Sequence, residues 1–288
     1  MAQFTLRADG SSNFAPGHRW GYFPSASLGW VITNEKFMEK TASWLDFLKL
    51  RASWGQNGNQ SISNFQYLMT FGFSAASGYF DGVGNHTSPT TGGYANVLQN
   101  PDVTWETSEQ LDLGIDARFI GGRLGLAFDW YNKKTKDWLL AAPILSVYGL
   151  NAPYVNGGDV ENKGFEVGLN WNDHIGDFTY GINLNVAYNK NEVTKINNGE
   201  GIIHGPGSVL IQGSDEVFRA KVGEPIGYFY GMKTAGVFQN QAQIDAWKAQ
   251  YTDNIHGGNP QPGDLIYVDT DGNNIIDLGS ADNLDEKF

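Results

Sequence analysis

Long stretches of strict two-residue alternation between residues 104 and 191 constrain the fold more than any other feature of this sequence. Successive side chains of a β-strand point to opposite faces, so each stretch builds one apolar face and one polar or small face. Runs of about 9–11 residues with aromatic side chains near their ends are typical of strands that cross a membrane in a β-barrel. The alternating apolar positions are Leu111, Leu113, Ile115, Ala117 and Phe119; Leu124, Leu126, Phe128 and Trp130; Phe165, Val167, Leu169 and Trp171; and Phe178, Tyr180, Ile182, Leu184, Val186 and Tyr188.

Composition and charge exclude several classes of protein. The 37 glycines and the aromatic content of 14% suit β-structure with many turns and argue against a helical bundle. A net charge of −12 argues against nucleic acid as a partner, because phosphate recognition needs a basic face. The absence of Cys excludes a disulfide framework, a thiol nucleophile and a Cys-ligated metal. No run reaches the roughly 18 consecutive apolar residues of a membrane-spanning helix.

The connections between the predicted strands differ in length. They are short at 120–122 and at 173–176, whereas 142–156 and the Gly-, Ser- and Thr-rich stretch 74–101 predict long surface loops. Short turns at one end and long loops at the other are typical of outer-membrane barrels. We therefore predict an all-β fold with about nine antiparallel strands in this chain.

Local signals predict one turn and one helix. Asn57-Gly58 is a strong turn signal that is expected to end the strand before it. Residues 240–251 predict the single helix, because their apolar side chains recur at helical spacing on one stripe. The stripe consists of Ile244, Trp247 and Tyr251.

Several phrases of the sequence together resemble those of a known family. Their number, order and spacing across nearly the whole chain make the match specific, although no single phrase decides it. The phrases are residues 24–32 (PSASLGWVI), 48–60 (LKLRASWGQNGNQ), 100–114 (NPDVTWETSEQLDLG), 129–135 (DWYNKKT), 156–166 (NGGDVENKGFE), 222–231 (VGEPIGYFYG) and 263–272 (GDLIYVDTDG). In these phrases the chain resembles the SusC/RagA-type TonB-dependent outer-membrane receptors.

The resemblance implies an antiparallel transmembrane β-barrel of about twenty-two strands with a plug domain and long extracellular loops. Residues 1–288 would cover part of the C-terminal half of that barrel. We expect the signal peptide, the plug domain and the terminal strands to lie outside the chain, because Met1 leads directly into an alternating strand and residues 282–288 do not alternate like a terminal barrel strand. Residues 240–288 would form an extracellular loop region with the short helix and an acidic Asp/Asn loop.

The resemblance also implies a function. Such receptors lie in the outer membrane of Gram-negative cells, in contact with its lipid, and import nutrients without covalent chemistry. The expected substrate is an oligosaccharide or a peptide, and the expected partners are a SusD-type surface lipoprotein and the TonB complex. The chain is therefore predicted not to be an enzyme.

The acidic segment that begins at Asp269 resembles the start of a calcium loop. Its oxygen side chains recur at the spacing that wraps a hard cation. Asn274 stands where such loops have Gly, and Ser280 stands where they have a bidentate acid. An acidic turn whose side chains bond to their own backbone is the alternative. The candidate calcium ligands are Asp269, Asp271, Asn273 and Asp277.

Aromatic side chains fall into two groups. Those near strand ends are expected in the girdles that Trp and Tyr form at membrane–water interfaces; they are Trp130, Tyr131, Trp138, Trp171 and Tyr188. Those in loops are candidates for stacking on a sugar, although packing roles are equally open for them; they are Tyr79, Phe80, Tyr94, Tyr148 and Tyr154.

Two other functions are alternatives to transport. A soluble β-sandwich that binds carbohydrate also has alternating strands and aromatic loops, but its outer face is expected to carry Lys, Glu and Thr rather than Gly, Ala, Ser and Asn. A glycoside hydrolase needs two carboxylates at a fixed separation, whereas acids at alternate strand positions line a wet face. The acids in question are Glu106, Glu109, Asp112 and Asp116, and the five His residues are scattered without metal-ligand spacing.

Overall fold

A computed structural model describes residues 1–79, 90–141, 147, 149–207, 209, 212, 216–270 and 272–276, with the side chains of 74–79 and 90–91 left aside. The chain divides into two compact units, Met1–Gly199 and Glu200–Phe288. The second unit contains the predicted loop region 240–288 and begins ahead of it. The helices of the described part are too short or too polar to cross a membrane, a finding that concerns helices alone.

The first unit is built around one antiparallel sheet of seven strands. The strands of this sheet lie side by side in the order β1-β2-β3-β6-β7-β10-β11. Two small hairpins, β4–β5 and β8–β9, lie in the connections between them. The strands are β1 (Ala2–Gly10), β2 (Trp20–Val31), β3 (Leu45–Asn59), β4 (Thr70–Tyr79), β5 (Thr90–Val97), β6 (Glu106–Phe119), β7 (Leu124–Lys136), β8 (Leu139–Ala141), β9 (Tyr154–Asn156), β10 (Gly158–Ile175) and β11 (Phe178–Ile196).

The connections of the sheet confirm the predicted difference between its two ends. At one end, β6 turns into β7 through Ile120, Gly121 and Gly122, all with positive φ, and β10 turns into β11 at Gly176, with a φ of 61°. Two 3-10 turns, Ile32–Asn34 and Lys36–Thr41, join β2 to β3 at this same end. The hairpins β4–β5 and β8–β9 lie in the longer connections at the opposite end, which we call the long-loop end.

Two local predictions are wrong. Asn57 and Gly58 do not form a turn, because Ser108 and Thr107 of β6 offer them ladder partners and β3 continues to Asn59. The stretch 74–101, which was predicted as a long surface loop, contains β5 and most of β4, and these strands pair as a hairpin. In both cases pairing with a neighbouring strand outweighs the local Gly and Asn signals.

Strand register gathers the apolar positions on one face of the sheet, the apolar face. Leu113 lies opposite Ala52 and Trp130, and Trp130 lies opposite Phe165. This face is not a buried core, because Leu113 in the central strand is 45% exposed, and Phe4 and Ile182 of the edge strands are 72% and 63% exposed. A soluble fold does not leave so large a contiguous apolar surface open to water, so the apolar face is a surface for lipid.

The buried core of the first unit lies at the long-loop end. It consists of Phe14, Phe23, Ile62, Val103 and Trp105, with Leu139 and Tyr154 packed against it. The Trp105 ring lies 5.3 Å from the Phe14 ring and 5.5 Å from the Phe23 ring, between centroids. This cluster joins the connections to the ends of the strands, so the connections are folded against the sheet.

In its described residues, the second unit contains short strands and one helix. Helix α1 (Gln241–Lys248) is capped by Asn240, whose side chain accepts a hydrogen bond from the Gln243 N–H, and it confirms the predicted helix in shorter form. Ile244 is buried, and Trp247 packs edge-on against Phe238. The strands are β12 (Ile202–His204), β13 (Phe218–Lys221), β14 (Tyr228–Phe229), β15 (Thr234–Val237), β16 (Thr252–Asp253), β17 (Leu265–Tyr267) and β18 (Ile275–Ile276).

Replacing Gly58 with Ala is expected to destabilise the first unit by about 1–3 kcal/mol, the usual cost of overpacking. A Cβ on Gly58 would occupy the space of the buried Phe23 ring. Gly168→Ala is the matched control, because the nearest atom to its Cβ, Asn185 Oδ1, is 3.4 Å away. Urea unfolding in detergent micelles measures both variants, and equal losses of stability would contradict this packing.

Candidate functional site

The face of the sheet opposite the lipid surface, the polar face, carries a charged centre. Arg51 of β3 lies opposite Gly114 of β6, which lies opposite Asp129 of β7. The Arg51 guanidinium donates to both carboxylate oxygens of Asp116, with Nε 2.8 Å from Oδ2 and Nη2 3.1 Å from Oδ1. Its Nη2 also lies 2.8 Å from Asp129 Oδ1. One cation therefore ties three adjacent strands together.

Gly114 makes room for this centre. A Cβ at Gly114 would lie 2.6 Å from the Arg51 Cζ and would also overlap the Asp129 carboxylate. The space above the Gly114 backbone is filled by the guanidinium instead. A strand glycine here serves the close approach of charged side chains.

The polar face has two recesses, and the charged centre borders one of them. One, of about 440 Å³, is lined by Arg51, Asp129, Glu166 and Tyr131 among others. Tyr131 donates its hydroxyl to Asn189 Oδ1 at 3.2 Å. The other recess, of about 660 Å³, is lined mainly by small polar side chains of β1, β2 and β3. Such a surface of amides, hydroxyls and charges suits hydrated polar solutes.

The pairing register of the strands determines which of the aromatic side chains near strand ends lie on the apolar face. Trp130, Phe165 and Tyr188 form one row across β7, β10 and β11, and the Phe165 and Tyr188 rings stack with centroids 5.7 Å apart. Trp171 lies on the same face nearer the turns, opposite Leu124. These positions agree with a membrane girdle. The girdle prediction is wrong for Tyr131, which lies on the polar face.

An ion pair lies at the border of the apolar face that is nearest to the long-loop end. Glu109 accepts hydrogen bonds from Lys136 Nζ at 2.7 Å and from Trp54 Nε1 at 2.9 Å. The hydrogen bond from Lys136, followed by that from Trp54, lowers the pKa of Glu109 below its ordinary value. The same bond raises the pKa of Lys136. A Trp that bonds to a carboxylate above apolar rings is typical of the membrane–water interface.

Two of the predicted sugar-stacking side chains, those of Tyr94 and Tyr154, lie within the described part of the chain. Tyr94 belongs to β5 and packs over Gly72, where a Cβ would lie 2.7 Å from the Tyr94 Cζ. Tyr154 belongs to β9 and packs against the long-loop core. The side chain of Tyr79 and the residues Phe80 and Tyr148 lie outside the described residues. These tyrosines stay candidates for substrate contact.

The predicted calcium loop is described only in part. Asp269 accepts hydrogen bonds from the N–H groups of Gly272 at 2.8 Å and Asn274 at 2.7 Å, and Asn273 Oδ1 accepts one from the Ile275 N–H. Asn274 has a φ of 62°, the left-handed conformation expected at its position. Asp271 and Asp277 lie outside the described residues. Calcium binding by this loop stays a prediction.

The candidate acids of a glycosidase do not form a pair. Glu109 lies on the apolar side of β6, whereas Asp112 and Asp116 alternate on the polar side. Glu106 accepts from the Leu139 N–H and from Asn59 Nδ2, and Asp116 is bound to Arg51. Asp112 has a side-chain hydrogen bond with Gln110, so all four acids have structural partners.

The second unit contains a separate charged cluster. Glu216 accepts hydrogen bonds from the Gly205 N–H and from Arg219 Nη2, and its Oε1 lies 2.8 Å from His204 Nδ1. Arg219 stacks on the Tyr230 ring. Burial opposes ionisation of Glu216, but the bonds to His204 and Arg219 bring its pKa below the ordinary value. The cluster joins β12, β13 and the residue after β14.

The charged centre was missed by sequence reasoning. Alternation places Arg51, Asp116 and Asp129 at polar positions of three strands, but it does not say which of these positions meet. The Arg51–Asp116 and Arg51–Asp129 pairs join residues 65 and 78 positions apart in the chain. Only the pairing register of the sheet brings them together.

Comparison with known proteins decides the family. The family model described as "TonB dependent receptor-like, beta-barrel" matches residues 1–280. The chain belongs to this family. The two-faced antiparallel sheet is accordingly part of the wall of a TonB-dependent receptor barrel, and the chain is an outer-membrane protein.

Relatives and solved structures of TonB-dependent receptors support the assignment. TonB-dependent receptor P3 of Formosa agariphila is 35% identical over 276 residues, which are 95% of this chain and 26% of the relative. TonB-dependent receptor SusC of Bacteroides thetaiotaomicron is 30% identical over 286 residues, 96% of this chain and 26% of SusC. A structure of the RagAB peptide importer in its closed-closed state superposes with a TM-score of 0.70 and 26% identity, covering 83% of this chain and 24% of that one.

The chain spans about a quarter of the length of the curated relatives it matches. These relatives are transport receptors, not enzymes. The soluble β-sandwich considered above does not fit the family match or the exposed apolar face.

Replacing Arg51 with Met is expected to cost about 1 kcal/mol of unfolding free energy, because two carboxylates lose their partner at a site screened by partial exposure. The side chains of Arg51 and Asp116 are 32% and 34% exposed. Urea unfolding measures the loss. Arg7→Met is the control, because the Arg7 side chain is 72% exposed in its pair with Asp9; a loss as large in that variant would contradict the special role of Arg51.

Replacing Glu109 with Gln is expected to reduce the loss of stability in acid. Because the pKa of Glu109 is lower in the folded chain than in the unfolded chain, its carboxylate stabilises the fold above pH 4.5. This stabilisation disappears as the pH falls through the folded-state pKa. Urea midpoints between pH 7 and pH 3 measure it, with Glu39→Gln on the exposed 3-10 turn as control. Parallel pH profiles for wild type and Glu109→Gln would refute the linkage.

Proposed function

We propose that this chain forms part of the wall of an outer-membrane importer that carries an oligosaccharide or a peptide into the cell. The observation that carries the proposal is the division of one sheet into an exposed apolar face and a polar face centred on Arg51. A wall of this kind separates lipid from an aqueous lumen. The polar face would line the path of the substrate.

Membership of the family also supports a proposal about the partners of such an importer. We propose that the complete receptor works with a SusD-type surface lipoprotein and with the TonB complex, as the names of the relatives SusC and RagAB suggest. The lipoprotein would meet the long-loop end, where the connections pack around Trp105. Residues 240–288 would lie in an extracellular loop region of the complete receptor. Covalent chemistry has no place in this proposal, because binding and release are sufficient for import.

The path through the lumen is testable with single cysteines, since the chain contains none. Ser53 lies on the polar face and its neighbour Ala52 on the apolar face. In the complete receptor in cells, a membrane-impermeant maleimide is expected to label Ser53→Cys, and Ala52→Cys is expected to stay unlabelled. The unsubstituted receptor controls for cysteines elsewhere. Labelling of Ala52→Cys alone would invert the assignment of the faces.

Substrate class is tested in the source strain after deletion of the receptor gene. Uptake of fluorescent oligosaccharides and of fluorescent peptides is measured in the deletion strain and after the gene is restored. Loss of uptake of one class in the deletion strain, and its recovery after the gene is restored, identify the cargo. Addition of that cargo should slow the labelling of Ser53→Cys by the maleimide. Unchanged uptake of both classes would refute import by this receptor.

A further inference from the structure

A histidine of the second unit lies between two carboxylates. His204 is the last residue of β12, and its Nδ1 lies 2.8 Å from Glu216 Oε1. Its Nε2 lies 3.3 Å from Glu200 Oε2. Glu200 lies just before β12, and Glu216 lies just before β13. We call these three residues the histidine latch, because one imidazole ring contacts an acidic group through each of its nitrogens.

The geometry of the latch determines the charge of the ring. A neutral imidazole has one N–H donor and one bare nitrogen, whereas an imidazolium has two donors. An ionised carboxylate only accepts, so a neutral ring bonds to one of the two glutamates and turns a lone pair toward the other. Only the imidazolium donates to both. In agreement with this geometry, the hydrogen bond to Glu216, together with that to Glu200, raises the pKa of His204 above its ordinary value.

The two glutamates of the latch are held differently. The Glu216 side chain is only 11% exposed, and it also accepts hydrogen bonds from the Gly205 N–H at 2.7 Å and from Arg219 Nη2. The Glu200 side chain is 71% exposed, and its partner among the described residues is His204. Loss of the charge on the ring therefore leaves Glu216 with two partners but releases Glu200.

The other charged groups near the ring belong to β13. Of the described residues, Glu216 and Glu200 favour the imidazolium, whereas the positive charge of Arg219 opposes it. Arg219 stacks on the Tyr230 ring, and Lys221 lies at the other end of the β12–β13 ladder. Two direct contacts with carboxylates outweigh one cation, so the ring keeps its proton to a higher pH than a free histidine.

The segment that the latch holds is short. β12 pairs with β13 over three residues, with His204 opposite Arg219. Just after β12, the Gly205 N–H donates to Glu216. Short segments at the surface open at little cost in free energy. The contacts at the two ends of β12 therefore decide how firmly residues 200–205 are held.

We propose that the histidine latch is a pH-sensitive switch, which holds residues 200–205 against β13 while His204 is protonated and loosens them when the ring loses its proton. Because the pKa of His204 is raised on folding, the stabilisation is complete below pH 6.5 and disappears as the pH rises through the folded-state pKa. The segment follows β11, which ends at the long-loop end. In the proposed importer, this switch would respond to the pH outside the cell.

The test uses the complete receptor, purified in a neutral detergent. Hydrogen–deuterium exchange of residues 200–205 is followed by mass spectrometry from pH 5.5 to pH 8.5, with exchange times scaled to equal chemical exchange at each pH. Protection of these amides is expected to fall by about two- to fivefold as the pH rises, the effect of losing one partly exposed charge pair. Exchange is measured without substrate, so its outcome is independent of import.

Two variants separate the latch from a general effect of pH. His204→Gln donates to one glutamate and does not titrate, so its protection is expected to stay at the lower level at every pH. Glu200→Gln removes one carboxylate and is expected to reduce the protection gained in acid. His174→Gln is the matched control, because His174 is an exposed histidine near the end of β10, outside the latch.

The control is expected to keep the pH profile of the wild type. A flat wild-type profile, or a profile that persists in His204→Gln and in Glu200→Gln, would overturn the proposal. The same loss of pH dependence in His174→Gln would also overturn it, because the response would then not belong to the latch.

Discussion

The need to pair every backbone N–H and C=O group inside lipid governs the rest of this structure. Hydrocarbon offers these groups no water, so a strand that faces lipid must find its partners in its neighbours. The seven long strands do so through continuous antiparallel ladders from β1 to β11. The irregularities of register in this sheet lie near strand ends, at Leu45 and at Asp159. The ladders that cross the apolar face are regular.

Regular ladders have a second consequence, because they keep side-chain alternation in phase across all the strands. The alternating apolar side chains of neighbouring strands then fall on one face, and the polar or small side chains between them fall on the other. The charged centre at Arg51 depends on that phase: a slip of one residue in β6 would move Asp116 to the lipid side. Gly114 contributes by leaving room for the guanidinium where three strands meet.

The ends of the sheet are specialised in different ways. At the turn end, glycines with positive φ close the hairpins within a few residues. At the long-loop end, the strands extend beyond the apolar face and carry ion pairs such as Lys136–Glu109. The connections at this end pack into a core around Trp105. The lysines on the apolar side and the charged residues on the polar face therefore belong to the same strands. They face different surroundings, membrane lipid on one side of the sheet and water on the other.

Sequence alone determined the strands with the longest alternation, the two-faced sheet, the short and long connections, the helix near Ile244 and the family, because each depends on local periodicity or on phrases along the chain. It failed at Asn57-Gly58 and at the β4–β5 hairpin, where pairing with a neighbouring strand overrode local turn signals. Only the tertiary structure decided that Tyr131 faces the lumen side, that Arg51 joins Asp116 and Asp129, and that Lys163 meets Lys190 above the aromatic row. These facts depend on the register between strands, which is set by side-chain packing between segments far apart in the chain and leaves no mark on the periodicity of any one strand.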